Sequence, residues 1–159
     1  MLTQMTKRME SSAEVDLRFM EMAMQEAQLA SEEGEIPVGA VIVAGGKVIA
    51  KAHNQTERLG DVTAHAEMIA ITSAQNYFDG KVLPDCTLYV TLEPCPMCAG
   101  AIGWARLKRV VWGADDPKRG YRHYALDERG PLHPKTEIGK GVLADQCLDI
   151  LQSFFRSRR

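Results

Sequence analysis

Long apolar runs are missing from this sequence, and a membrane-spanning helix needs roughly 20 consecutive apolar residues. The first 15 residues also lack the apolar stretch of a secretory signal peptide. Only four cysteines are present, and their positions do not suggest a disulfide framework. We therefore expect no membrane contact and a cytoplasmic location, because a reducing compartment leaves thiols available to bind metal.

A strong charge of either sign is also absent, since 19 basic and 21 acidic residues leave a net charge of −2. The overall charge therefore gives no indication of nucleic-acid binding, but the basic residues are clustered. One cluster within residues 104–124 comprises Arg106, Lys108, Arg109, Lys118, Arg119 and Arg122. The chain ends with Arg156, Arg158 and Arg159. Such clusters are either solvated faces or local surfaces for phosphate contacts.

Internal repeats and low-complexity segments are absent as well. The 159 residues are 45% hydrophobic and 25% charged, which is an ordinary globular composition. We expect residues 13–159 to form one domain, and residues 1–12 to form a flexible leader.

Hydrophobic periodicity and turn residues predict the element order α-β-β-α-β-α-β-(β)-α. The predicted helices are residues 13–33, 64–75, 96–105 and 143–155, and the predicted strands are residues 37–43, 47–52, 87–91, 108–113 and 136–142. Leu17, Met20, Ala23, Met24 and Ala27 are expected to form the buried stripe of the first helix. Residues 54–61 and 115–135 are predicted loops, and loops as long as the second are often functional. This order indicates an α/β fold with helices on both faces of a sheet, in which strands joined through a helix are parallel.

Two motifs carry most of the chemical information: His65-Ala66-Glu67 and, 28 positions after the glutamate, Cys95-Pro96-Met97-Cys98. One histidine and two cysteines are zinc ligands, and a catalytic zinc site has three protein ligands and one open position. All three lie at predicted helix N-termini, where the helix dipole favours thiolates. Thr63 is the expected cap of the helix that carries His65.

Glu67 is poorly placed to be a fourth zinc ligand, because it is only two residues from His65. It is well placed to move protons between water, a ring nitrogen and a leaving amine, which departs poorly unless protonated. We expect a partly dry pocket to raise the pKa of its carboxyl group. The combined spacing H-x-E and P-C-x-x-C is typical of zinc deaminases.

Two other interpretations of the cysteine motif stay open. A C-x-x-C motif alone also occurs in redox proteins. A closed structural zinc site would take its fourth ligand from Cys86, Cys147, His53, His123 or His133. Because Cys86 opens a predicted strand and Cys147 lies on an apolar helix face, we expect both to be buried structural thiols.

These motifs resemble the cytidine deaminase superfamily and, more closely, the bacterial tRNA-specific adenosine deaminases. The similarity runs from about Asp16 to Arg159, with specific matches at residues 34–41, 63–67, 88–102, 141–145 and 154–159. The resemblance implies a three-layer α/β/α sandwich with a five-stranded mixed sheet, and one Zn²⁺ per subunit of a homodimer. It also implies hydrolysis of the wobble adenosine of a tRNA anticodon stem-loop to inosine.

The resemblance further implies four substrate contacts. Asn54 matches an asparagine that hydrogen-bonds the flipped nucleotide, Asp116 matches a position near the substrate backbone, and Ile36 and Val38 match the pocket wall. An apolar wall suits a base that is held by stacking. Each position has a structural alternative: an Asx turn for Asn54, a turn before Pro117 for Asp116, and core strand positions for Ile36 and Val38.

The sequence departs from this family in the presumed substrate loop. Asp115 stands where a basic residue is common, and residues 120–129 replace a stretch of small residues. Tyr121 and Tyr124 in this stretch either stack on splayed RNA bases or pack against a dimer partner.

These departures leave more than one function open. A deaminase of free guanine, cytosine or a nucleoside such as cytidine is the alternative to a tRNA deaminase. A non-catalytic module with a structural zinc is a third candidate. The basic segments favour RNA, because free bases carry no phosphate to neutralise.

Overall fold

The computed structural model describes residues 9–158. Its elements are α1 Ser12–Glu32, β1 Gly39–Ala44, β2 Lys47–His53, α2 Thr56–Leu59, α3 Ala66–Phe78, β3 Cys86–Leu92, α4 Pro96–Ala105, β4 Arg109–Ala114, α5 Tyr121–Tyr124, β5 Glu137–Lys140 and α6 Ala144–Arg156. The order of the long elements matches the prediction, and two short helices, α2 and α5, are added. Most of the predicted leader lies outside the described residues. Ser11, near its end, caps α1 by accepting a hydrogen bond from the Glu14 N–H.

One five-stranded sheet with the order β2-β1-β3-β4-β5 forms the centre of the fold. Strand β1 runs antiparallel to both β2 and β3, whereas β3, β4 and β5 run parallel to one another. Helix α4 provides the crossover from β3 to the parallel strand β4, and β5 lies at the sheet edge, as predicted. The expected three-layer fold with a mixed sheet is therefore confirmed. Within residues 9–158, no helix combines the length and apolar character needed to cross a membrane.

The helices divide between the two faces of the sheet. Helices α3 and α4 cover one face, where Ile71 and Ile102 belong to the same buried cluster as Leu88 and Trp112. Helices α1 and α6 cover the other face, where the buried cluster comprises Phe19, Met20, Ala23, Val41, Val43, Tyr89, Val111, Ala114 and Cys147. This arrangement leaves the starts of α3 and α4 on the same side of the sheet.

The buried face of α1 differs from the predicted stripe. Leu17 is 41% exposed, while Asp16 and Phe19 are buried instead. Asp16 accepts two hydrogen bonds from the Arg109 guanidinium, at 2.7 and 2.8 Å, and one from the Tyr89 hydroxyl at 2.7 Å. A buried charge is tolerated when it is paired in this way, so the helix turns a polar residue inward.

Helix α3 begins two residues later than predicted. Its N-cap is His65, in an extended conformation, and not the expected Thr63. The Thr63 hydroxyl instead donates to the Asp61 carboxylate at 2.7 Å, and the Thr63 N–H donates to the same oxygen. The Thr63 hydroxyl is therefore used in a local turn and does not cap the helix. His65 is the N-cap residue of the helix, and its ring makes no capping hydrogen bond.

Candidate active site

The three predicted zinc ligands meet where α3 and α4 begin. His65 is the N-cap of α3, Cys95 is the N-cap of α4, and Cys98 lies in the first turn of α4. The His65 Nδ1 atom lies 3.6 Å from the Cys95 sulfur and 3.5 Å from the Cys98 sulfur. All three ligand atoms lie within 4.8 Å of one another.

These separations fit one tetrahedral zinc ion. Bonds of about 2.3 Å to sulfur and about 2.0 Å to nitrogen at tetrahedral angles place nitrogen and sulfur about 3.5 Å apart. Both measured nitrogen–sulfur distances are close to this value. A hydrogen bond from Cys98 is the main cause that lowers the pKa of Cys95 to about 4, while the pKa of Cys98 rises because it keeps that proton. Metal binding would therefore release a proton, as thiol ligands do in general.

A closed structural zinc site is not formed by the described residues, because the ligand group contains only His65, Cys95 and Cys98. The five candidate fourth ligands are engaged elsewhere. Cys86 lies in the core, Cys147 contacts Met24, His53 bonds to Glu26 and Glu33, His123 makes an edge-to-face contact with Tyr124, and His133 accepts from the Lys135 N–H. The three ligands therefore form an open set of the catalytic type.

Glu67 occupies the first turn of α3, next to these ligands. Its side chain is buried, with 4% of the residue exposed, and this burial raises the pKa of its carboxyl group. A carboxyl group with a raised pKa is suited to accept a proton and to deliver it again.

A cleft of about 860 Å³ opens above the ligands. Its walls include His65, Cys95 and Glu67 and all four predicted substrate residues: Ile36, Val38, Asn54 and Asp116. These residues come from five different segments of the chain, and the fold brings them together around one space.

The apolar wall and Asn54 occupy one side of this cleft. Ile36 is 41% exposed, so it is not a core residue, whereas Val38 is half-buried against the core. The Asn54 amide donates to the Ile36 carbonyl at 3.4 Å and accepts from the Thr56 N–H at 3.3 Å. The Asx-turn alternative is thus present in the structure, although the same side chain faces the cleft.

Asp116 lines the cleft from the segment after β4. One of its carboxylate oxygens accepts hydrogen bonds from the Lys118 and Arg119 N–H groups, at 3.2 and 3.0 Å. The structural alternative for Asp116, a role in a turn, is therefore also present in the structure. The turn brings Lys118 and Arg119 to the cleft wall, where both are exposed.

Residues 13–114 match the family model described as the cytidine and deoxycytidylate deaminase zinc-binding region. The chain belongs to this family. The match spans α1 through β4 and includes every candidate zinc ligand and Glu67.

Similar proteins include both RNA and free-base deaminases. A tRNA-specific adenosine deaminase of Agrobacterium fabrum is 43% identical over 143 residues, which cover 89% of this chain and 94% of that protein. A solved structure from work on A-to-I editing by tRNA:A34 deaminases at the wobble position is 42% identical, has a TM-score of 0.77, and is matched over 84% of this chain and 99% of its own. The guanine deaminase of Bacillus subtilis is 38% identical, with a TM-score of 0.61, over 70% of this chain and 76% of its own.

Sequence reasoning missed two buried carboxylates beside the cleft. Glu35 is 1% exposed and accepts hydrogen bonds from the Glu57 and Arg58 N–H groups, at 2.7 and 3.3 Å. These bonds satisfy the start of α2 and explain why the predicted loop contains a helical turn. Glu93 is 3% exposed and binds the segment after β4. Both glutamates lie in stretches that match the family. Each is a charged residue within two positions of a proline, and this is the sequence feature that could have indicated a buried role.

The C-terminal helix was also missed as part of the site. Leu148, Leu151, Gln152 and Phe155 of α6 line the cleft. The amphipathic pattern of the sequence predicts helix α6. It does not predict that α6 lines the cleft, because this depends on how α6 packs on the sheet.

The basic cluster within residues 104–124 does not form one surface. Of its six members, Lys118 and Arg119 line the cleft, whereas Arg109 pairs with Asp16 and Arg122 pairs with Glu93. At the chain end, Arg158 donates to the Gly34 carbonyl, Arg156 donates to Ser153, and Arg159 lies outside the described residues.

The two tyrosines of the divergent stretch have different environments. Tyr121 is buried, packs edge-on against Trp112 at 5.8 Å and donates from its hydroxyl to the Glu128 carbonyl. It therefore belongs to the core and neither stacks on bases nor faces a partner. Tyr124 is 64% exposed.

Proposed function

We propose that this protein converts adenosine to inosine at the wobble position of a tRNA anticodon, as a zinc-dependent hydrolase. The observation that carries the proposal is a single cleft in which Glu67 and the zinc ligands lie below two exposed basic residues, Lys118 and Arg119. The tRNA-specific relatives support the choice of substrate.

The chemistry follows from the residues at the base of the cleft. His65, Cys95 and Cys98 would hold the zinc ion, which would supply a Lewis acid that activates water. Glu67 would move both protons of the attacking water, one to the purine ring nitrogen and the other to the amine, which leaves as ammonia while the water oxygen becomes the carbonyl oxygen of inosine. Burial of Glu67 suits this role, because it raises the pKa of the carboxyl group, as is common for carboxylic acids that donate protons in catalysis.

Other cleft residues would hold the nucleotide. Ile36 and Val38 provide an apolar wall for a flipped base. The Asn54 amide can both donate and accept, which suits a purine edge or a ribose hydroxyl. Asp116 would lie beside the anticodon backbone.

Lys118 and Arg119 provide the test that separates RNA from a free base. Within the described part of the chain, neither side chain pairs with a carboxylate, so both charges remain for phosphates. Each phosphate contact with single-stranded RNA contributes about 0.7 to the slope of log affinity against log salt concentration. Turnover of an anticodon stem-loop at low substrate concentration should therefore fall steeply with salt.

The experiment measures inosine formation by the zinc-loaded protein on an adenosine-containing anticodon stem-loop, in parallel with free adenosine, guanine, cytosine and cytidine. Lys118→Ala should reduce the salt slope by about 0.7. Lys51→Ala is a matched control, because Lys51 is exposed on β2 and does not line the cleft. Inosine confined to the wobble position supports the proposal, and an inert stem-loop refutes it.

A second candidate is deamination of free guanine, which the similarity to the Bacillus subtilis guanine deaminase favours. The zinc and Glu67 chemistry would be the same. Cavities of a size near 860 Å³ hold whole drug-sized ligands, which is more space than a free base requires. We therefore rank this candidate second, and turnover of guanine with an inert stem-loop would reverse the order.

Homodimer formation is also part of the proposal. Trp104 on α4 is 87% exposed, and Tyr124 at the end of α5 and Leu126 in the segment after it are exposed as well. The two segments adjoin, because Gly103 lies directly against the Pro131 carbonyl. Exposed apolar surface of this kind is typical of protein interfaces. Sedimentation should give the mass of a dimer for the wild type and of a monomer for Trp104→Glu.

We further propose that residues 13–159 act as one domain in the cytoplasm. Both terminal helices, α1 and α6, pack on the same face of the one sheet, which supports a single folding unit. A tRNA substrate and thiolate ligands both suit a reducing cytoplasm.

A further inference from the structure

We propose that Arg122 is a positioning residue that fixes the substrate loop, defined as residues 115–120, over the cleft. Arg122 does so through the buried carboxylate of Glu93, which follows β3. The consequence is that Lys118 and Arg119 are held where an RNA backbone would pass. The RNA part of this inference rests on the proposed function, whereas the fixing of the loop does not.

Glu93 binds both the substrate loop and Arg122, the second residue of α5. Its Oε1 atom accepts hydrogen bonds from the Arg122 guanidinium at 2.8 Å and from the Asp116 N–H at 3.2 Å. Its Oε2 atom accepts from the Arg122 N–H at 3.2 Å. One buried carboxylate therefore ties Asp116, inside the loop, to Arg122, just beyond it.

Arg122 also binds the other end of the loop. Its guanidinium lies 2.9 Å from the Asp115 carboxylate and 5.1 Å from the centre of the Trp112 ring. The Trp112 indole N–H donates to the same Asp115 carboxylate at 2.8 Å. The aspartate that departs from the family pattern is thus the partner of an arginine in the divergent stretch.

The close fit at Gly120 shows that the loop lies directly on Glu93. A Cβ atom at this position would overlap the Glu93 carboxylate. Tyr121, which follows Gly120, is held independently of Arg122. Its N–H donates to the Pro94 carbonyl at 2.8 Å, and its ring is buried. Loss of the Arg122 side chain should therefore release residues 115–120 without releasing α5.

Stability alone is a poor explanation for this arginine. Its Nε atom is buried and has no hydrogen-bond partner among the described residues, which is a cost to folding. Buried ion pairs can often be replaced by neutral residues without loss of stability. Arg109 and Asp16 form a comparable pair that does not line the cleft, and this pair serves as the control.

The test compares Arg122→Met, Arg122→Lys and the double variant Glu93→Gln/Arg122→Met with the wild type. Hydrogen exchange should become at least about tenfold faster at the amides of residues 115, 116 and 118–120 in Arg122→Met, since the loop loses the restraint that the Arg122 side chain supplies. KM for the stem-loop should rise about tenfold while kcat changes less than about twofold. Arg122→Lys should recover part of the loss in KM, because it keeps the charge.

The double variant separates positioning from stability. It removes the buried charge of Glu93 together with the charge of its partner, so its Tm should return toward the wild-type value while KM and loop exchange stay elevated. Arg109→Met should lower Tm but leave KM and exchange in the loop unchanged.

Three outcomes would overturn the proposal. They are unchanged loop exchange in Arg122→Met, unchanged KM in that variant, and a double variant in which KM recovers together with Tm. If the wild type does not act on the stem-loop, the proposed function fails. The exchange measurement still decides the role of Arg122 in that case, because it needs no substrate.

Discussion

Replacement of Glu67 with glutamine tests the proton transfer that the active site is proposed to perform. The change keeps the size and polarity of the side chain but removes its ability to accept and release a proton. Glu67 is buried beside His65 and Cys95, and burial raises the pKa of its carboxyl group. The three proposed zinc ligands are untouched, so the variant should still bind one zinc ion.

The size of the effect follows from what general acid–base catalysis contributes. A positioned proton-transfer group accelerates a reaction by about 10² to 10⁴-fold. We expect kcat to fall at least about 10²-fold, which corresponds to roughly 2.7 kcal/mol in the activation free energy. Glu67 carries out two proton transfers in the proposed reaction, so the loss should lie within this range and not below it.

The assay measures kcat on the substrate that the wild type deaminates, zinc content per chain by metal analysis, and affinity for that substrate. Zinc content should stay at one ion per chain, and affinity should change by less than about threefold, because the residue acts on the reaction and not on binding. Glu21→Gln is the matched control, since it makes the same chemical change on the exposed face of α1. An unchanged kcat with zinc retained would show that the assigned role of Glu67 is wrong.

Two further predictions concern stability. Asp16→Ala leaves the partly exposed Arg109 guanidinium without its carboxylate. It should lower the free energy of unfolding by about 2–3 kcal/mol, or Tm by roughly 4–12 °C, and a loss under about 1 kcal/mol would contradict the argument. Burial lowers the pKa of His53, but hydrogen bonds to Glu26 and Glu33 outweigh this and raise its pKa above 6.5. This stabilisation is full below the unfolded-state pKa and is lost as pH rises through the folded value. The Tm difference between wild type and His53→Gln should therefore shrink with rising pH, and a constant difference would refute this linkage.

Most of the secondary structure was predictable, because each long helix and strand buries one face and so carries a regular apolar pattern. The exceptions have particular causes. The buried face of α1 includes Asp16, whose charge is paired by Arg109 from a strand more than 90 residues away. Helix α2 forms because Glu35 accepts hydrogen bonds from its first N–H groups. No local pattern reveals a partner that is distant in sequence.

The sequence by itself determined which three side chains could hold a zinc ion, and the position of Glu67 beside them. Helix starts are local features, and short spacings within two motifs place His65, Cys95 and Cys98 at such starts. The family resemblance added Asn54, Asp116, Ile36 and Val38, all of which line one cleft.

Only the tertiary structure decided how the basic residues and carboxylates are used. Lys118 and Arg119 face the cleft, while Arg122, only three residues further on, is held by the buried carboxylate of Glu93. Tyr121 was expected on the surface and is buried against Trp112. The physical reason is that a charged or aromatic side chain takes its role from the partners that surround it, and those partners are brought together only when the sheet and its helices pack.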